Sequence, residues 1–246
     1  MKAWAKAYAA NSGVKTIKMT QNGIRQEGIV HLLTEGVSHL SKLETLDLQD
    51  NTFTVTGAKA LSSVVAKWSN LRELGVGDCL LGGRGGVALA SALEKGQNKK
   101  IEILRLQFND INAQGVVGLA SAASTALPSL RRVELNGNKF SEDESSIEKL
   151  RDVLDARKEE SGEHEDDQEY WGLDELDELE SEDEDEGSDA DEKHGDDDSE
   201  EEGVDIEEKA ARQIIDDKRS EESNVAQEKD KKVDDLADVL AKTEIK

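Results

Sequence analysis

A single cysteine, Cys79, stands in 246 residues, so no disulfide framework can hold this chain and a reducing compartment is expected. No apolar run approaches the roughly 18 residues that suggest a membrane span. Residues 1–13 contain alanines broken up by Trp4, Lys6 and Tyr8, which reads as a helix rather than a secretory signal. A soluble, intracellular protein is expected. The four histidines, His31, His39, His164 and His194, share no metal-ligand spacing. Acid runs such as residues 182–186 lack the glycine-punctuated loop of a tight calcium site. The glycine-rich stretch at 82–86 lacks the Gly-Lys-Ser/Thr ending of a phosphate loop. No self-contained catalytic, metal or cofactor site emerges, and no cofactor is expected.

Charge is abundant but unevenly placed. The formal net charge is −25, and 26 of the 56 acids but only one of the 31 bases lie between Glu159 and Glu202. The rest of the chain carries 30 of each sign and is formally neutral. Such a block repels nucleic acids and anionic membranes, whose phosphates carry the same sign, and attracts basic proteins.

Self-similarity decides the fold. Five segments align without gaps: VKTIKMTQNGI (14–24), LETLDLQDNTF (43–53), LRELGVGDCLL (71–81), IEILRLQFNDI (101–111) and LRRVELNGNKF (130–140). Their starts are 29, 28, 30 and 29 residues apart, and all fit the pattern L-x-x-L-x-L-x-x-[N/C]-x-L. The alternating core of each predicts a short strand with its apolar side chains facing inward. Asn22, Asn51, Asn109 and Asn138 fall where the chain leaves the strand. Each is expected to be buried and to bond the backbone groups that the turn leaves unpaired. Cys79 takes that position in the third repeat, a role that suits a small buried thiol better than a nucleophile.

Glycines 28, 57, 85 and 115 follow the ladder position by six residues and are expected to permit a tight turn into a helix. Small and apolar residues then recur at helical spacing. A full helix at this period predicts an α/β fold: a leucine-rich repeat solenoid of the ribonuclease-inhibitor-like horseshoe type, parallel strands inside and helices outside. In the fifth repeat Glu144 replaces the glycine, and a charged helix over 145–156 suits a C-terminal cap. Residues 1–10 resemble an outer helix whose own strand would lie upstream. The repeat domain is thus expected over 1–158, as the C-terminal part of a longer array.

Beyond it the composition turns to Asp, Glu, Ser and Gly, which cannot bury enough apolar surface to offset ordering entropy; residues 159–204 are expected to be a disordered acidic tail. Residues 170–179, YWGLDELDEL, read either as a linker with a few hydrophobes or as a short docking motif. Residues 205–246 alternate charges at helical spacing and are expected to be partly helical. Within them 233–240 is weakly similar to a nuclear-export pattern.

Function is expected on the strand residues that face away from the core and on the rim beyond them. These include Thr16, Lys18, Gln21, Asp47, Gln49, Asp50, Glu73, Arg105, Gln107, Phe108 and Arg132. The mixed charge suits a protein partner, and no aromatic ladder offers to stack bases.

The strings KMTQNGIR (18–25), LDLQDNTF (46–53), NLREL (70–74), DCLL (78–81) and ELNGNKFSE (134–142), with an acidic block directly behind, resemble the Ran GTPase-activating proteins, particularly the fungal ones. The likeness covers residues 14–140. It implies an activator of GTP hydrolysis by Ran in its GTP form, engaged with or without a Ran-binding protein. Such an activator is no enzyme in its own right: it positions the GTPase's own glutamine rather than supplying an arginine finger. The family's best-attested catalytic arginine and asparagine sit on earlier repeats without counterpart here, so no residue inherits that role. Lys18, Gln21, Arg25, Asp47 and Asp50 are the candidate GTPase contacts. The resemblance further implies a monomer in the cytoplasm or at the nuclear envelope, serving nucleocytoplasmic transport. The other readings are an interaction scaffold unrelated to GTPases, and an acidic chaperone for histones or importins.

Overall fold

A computed structural model describes residues 1–162 and 170–180. All of them belong to the first of two units, Met1–Glu186 and Gly187–Lys246. The expectations for 181–204, for helix within 205–246 and for the export-like 233–240 fall outside the described residues.

The alternating strings form the strands β1 (Thr16–Lys18), β2 (Thr45–Asp47), β3 (Glu73–Gly75), β4 (Ile103–Arg105) and β5 (Arg132–Glu134), joined in chain order into one parallel sheet. In register, Ile17, Leu46, Leu74, Leu104 and Val133 make one stacked row, each at most 2% exposed. Leu48, Val76, Leu106 and Leu135 make a second row, and Phe53, Leu81, Ile111 and Phe140 a third. Burying one such side chain contributes roughly 1.5–3 kcal/mol, so the rows, continuous across repeats, hold the solenoid.

The helices α1 (Lys2–Ala10), α2 (Gln26–His31), α3 (Thr54–Val64), α4 (Gly82–Leu93), α5 (Ala113–Thr125) and α6 (Ser145–Ser161) line the outside. The recurrent glycines serve them differently from the expectation. Gly28, Gly57, Gly85 and Gly115 lie within the first helical turn and none has a positive φ. A Cβ at each would meet a neighbouring side chain at 2.6–2.9 Å, Ile111 in the case of Gly115 and Ala58 in that of Gly85. They admit close packing, not a turn.

The ladder amides bind the strands' exits together. The Asn109 Oδ1 accepts from the Cys79 and Leu81 N–H groups at 3.0 and 3.3 Å, while its Nδ2 donates to the Val76 and Leu106 carbonyls at 2.7 and 3.0 Å. Asn51 and Asn138 repeat the pattern on their own preceding repeats. All three are buried. Asn22, expected to be buried like them, is exposed, and its Nδ2 donates to the Thr20 carbonyl 2.8 Å away. The ladder reaches back to a preceding strand, and β1 is the first strand described. Cys79 is fully buried and its thiol donates to the Leu48 and Gly77 carbonyls, both at 3.3 Å. A thiol has no second polar arm, so Phe53 N–H bonds the Cys79 carbonyl instead, at 3.0 Å. Burial pushes the thiol up to about 12, against the opposing pull of backbone hydrogen bonds.

A second set of tethers, absent from the repeat motif, works on the outer side. Trp68 Nε1 donates to the Val37 carbonyl at 3.0 Å, and the buried Asn98 donates to Val65 and Trp68. Arg157 on α6 donates to the carbonyls of Leu130 and Ala123 at 2.8 and 2.6 Å. The cap helix therefore runs past the expected limits of 156 and 158, to Ser161, and closes at Gly162 in the left-handed region with φ 71°.

The expected onset of disorder at 159 is corrected further on. Residues 170–180 lie against the last repeat, and Gly172–Leu173 forms a sixth strand, β6, parallel to β5. Leu173 extends the row of Val133, and Leu176 is 9% exposed. The Asp174 carboxylate accepts from the N–H groups of Leu135 and Asn136 at 2.8 and 3.0 Å. Burial raises that carboxyl above the usual range, and these two bonds oppose the shift. The segment therefore packs on the last repeat of its own chain rather than standing clear of it as a linker.

Replacing Asn109 with alanine strips partners from two buried N–H groups and two carbonyls. A loss of about 2–4 kcal/mol is expected in chemical denaturation, against under 1 kcal/mol for Asn22→Ala at the exposed end. Cys79 should resist alkylation in the native state. Because its folded pKa lies above the unfolded one, its contribution to stability is complete below the ordinary thiol range and is lost as pH climbs toward 12. Labelling that appears at pH 8 without unfolding would contradict this assignment.

Candidate functional site

The strand faces turned away from the core, with the rim after them, form a continuous surface to which each described repeat contributes. Each strand exit needs a left-handed residue just before the ladder position. Gln21, Asp50, Asp78, Phe108 and Gly137 have φ of 54°, 57°, 50°, 55° and 67°. At non-glycine residues this conformation costs roughly 1–2 kcal/mol. It is offset in place, because the strained N–H groups reach the next repeat: Gln21 to Gln49 O at 3.0 Å, Asp50 to Gly77 O at 2.9 Å, Asp78 to Gln107 O at 2.8 Å and Phe108 to Asn136 O at 2.9 Å. The rim is thus a fixed ridge whose side chains project at one-strand spacing, about 4.8 Å.

Toward β5 the surface neutralises itself. Arg105 lies between Glu73 at 3.8 Å and Glu134 at 3.6 Å, and Arg132 lies 3.6 Å from Glu134. Before the strands, Glu102 takes Arg72 and Arg131. Pairs this exposed contribute at most about 1 kcal/mol each, but they remove net charge from that half.

The candidate contacts sit at the other end. Lys18 and Asp47 are register partners on β1 and β2. Lys18, Gln21, Arg25 and Asp50 are exposed, and among the described residues no ion pair engages Lys18, Arg25 or Asp50. Gln21 and Asp50 lie on the rim, and Lys18 lies on the strand face before it. Arg25 stands apart, at the start of α2 and beyond the ladder position. Asp47 is half-buried, and its carboxylate is engaged by the Gln49 amide at 3.0 Å.

That bond begins a polar chain that the repeat motif does not reveal. Gln49 Oε1 accepts from Gln107 Nε2 at 2.8 Å, spanning the whole third repeat. Gly77 permits it: a Cβ there would lie 2.5 Å from the Gln107 amide carbon. The carboxylate can only accept, so it fixes the Gln49 amide, which in turn fixes the Gln107 amide. Hydrogen-bonding groups and unpaired charges on rigid elements are suited to recognising a partner. Among the described residues no three His, Cys, Asp or Glu side chains converge as metal ligands would.

Stacked parallel strands, outer helices and an asparagine ladder define a leucine-rich repeat protein. A family model described as Leucine Rich repeat matches residues 39–62 and 97–120. Over 148 residues the chain is 32% identical to Ran GTPase-activating protein 1 of Saccharomyces cerevisiae, covering 59% of this chain and 36% of the yeast protein. It is 25% identical over 131 residues to RAN GTPase-activating protein 2 of Arabidopsis thaliana, covering 53% and 23%. The chain spans about a third or less of the length of these relatives.

Proposed function

We propose that the chain serves GTP hydrolysis by the small GTPase Ran, in its GTP form, as a regulator without an active site of its own. The 32% identity over 148 residues to the yeast Ran GTPase-activating protein carries this reading. The self-neutralised half of the concave surface contributes little to steering. The unpaired Lys18, Arg25 and Asp50, with Gln21, supply contacts at the periphery of the GTPase, while the chemistry rests on the GTPase's own glutamine and on repeats other than these five. An activator of this kind would support nucleocytoplasmic transport, in the cytoplasm or at the nuclear envelope. The acidic block, 26 acids against one lysine between Glu159 and Glu202, favours an additional basic protein partner, bound in a manner that salt beyond physiological strength abolishes.

Single-turnover hydrolysis of Ran·GTP tests the reading. Added alone, this chain should stimulate turnover little, while binding to Ran·GTP should weaken about two- to fivefold for Lys18→Glu or Asp50→Lys, the scale of a rim charge. Full stimulation by the chain would overturn the assignment of catalysis to other repeats. Absence of any binding would overturn the partner.

A further inference from the structure

The contact between residues 170–180 and the last repeat has the composition of a bound peptide rather than of a core. Only Gly172 and Leu173 join the sheet, and Leu176 is the one fully seated apolar side chain, with Leu173 and Leu179 half-buried. The rest is polar and charge-assisted. Gly172 N–H bonds Arg131 O at 2.8 Å, and Glu180 N–H bonds Asn138 O at 2.9 Å. Asp174 spans two N–H groups of the last repeat, and the Asn136 side chain donates to Asp177 and accepts from Glu178 N–H. Lys139 faces Glu180 at 3.9 Å, and the Arg131 guanidinium lies 5.9 and 6.0 Å from the Tyr170 and Trp171 rings.

The last repeat does not depend on this segment for its own closure. Ile147, Leu150 and Leu154 of α6 are buried in the core, and Arg157 ties the helix to Ala123 and Leu130. Among the described residues a cleft of about 540 Å³ opens between α6 and the segment, lined by Arg132, Arg151, Lys158, Trp171 and Asp174. A unit with few buried apolar contacts and many surface hydrogen bonds opens at a lower free energy than the array beneath it.

We propose that residues 170–180 are a detachable strap on a peptide-binding edge. The edge of β5, with Arg131, Asn136 and Lys139, accepts an acidic segment by strand addition, and its occupant is the chain's own strap. Main-chain bonds supply the affinity, as in other strand additions, and three features supply the selectivity. An aromatic pair meets Arg131, a carboxylate spans the N–H groups of Leu135 and Asn136, and a leucine two residues on fills the Leu176 seat. While the strap is down it hides the edge, and its acids discourage a further strand from adding outside it.

The test uses the full chain. Leu173→Asp with Leu176→Asp should lift the strap, and a fluorescent peptide of residues 168–182 should then bind the variant at least tenfold more tightly than the unaltered chain. That binding should weaken several-fold as salt rises from about 50 to 300 mM, because the contacts are charge-assisted and partly exposed. Amide exchange should quicken at Leu135 and Asn136 and stay slow at Leu46 and Leu74. Asp174→Ala, a milder change, should give a smaller shift in the same direction. Equal affinity for variant and unaltered chain, or no binding to either, would overturn the peptide site. Loss of protection throughout the array in both variants would overturn the strap's independence.

Discussion

The buried asparagine amide is the interaction on which the rest of the structure depends. A strand three residues long cannot pair all of its exit, and a solenoid that turns at every strand multiplies the problem. Each ladder amide spans two repeats, accepting from two N–H groups of the preceding one and donating to carbonyls of both. That places it inside the stack, where an unpaired backbone group is costly. It also sets the rim, because the left-handed residue before each ladder position is strained unless the next repeat accepts its N–H. Fold and recognition surface therefore share one constraint.

The third repeat shows what happens when the constraint is relaxed. Cys79 has one S–H to share between two carbonyls and lacks the amide's carbonyl acceptor, and backbone atoms make up part of the difference. The same repeat carries Gly75 and Gly77, and over them the Asp47–Gln49–Gln107 chain crosses from the second repeat to the fourth. Side chains of the neighbours thus tie together a repeat whose own ladder residue is weaker.

Much of the fold was legible because a repeat states the same physics five times. Strand positions, the row residues, the outer helices and the role of Cys79 all follow from alternation and spacing. What was not legible depends on neighbours that the motif does not encode. The burial of Asn22 turns on whether a strand lies before β1. The helix glycines look like turn residues in sequence, yet they make room for Ile111 or Ala58 in space. The strap is hidden by its own composition: Asp174 and Asp177 read as part of an acidic tail, and only their meeting with Leu135, Asn136 and the edge of β5 makes them structural. At the candidate site, the exposure of Lys18, Gln21 and Asp50 follows from motif position. The engagement of Asp47 by Gln49 and the reach of Gln107 across 58 residues do not.

The functional account comes down to a strand face and rim that carry unpaired charges at the first repeats and a strand face that is neutralised toward the last. Backbone hydrogen exchange of the chain, with and without Ran held in its GTP form, tests that polarity most directly. The account predicts added protection on the rim around Gln21 and Asp50, fading across Phe108 and absent from the outer helices. Protection centred on the outer helices, or on the last repeats, would contradict it.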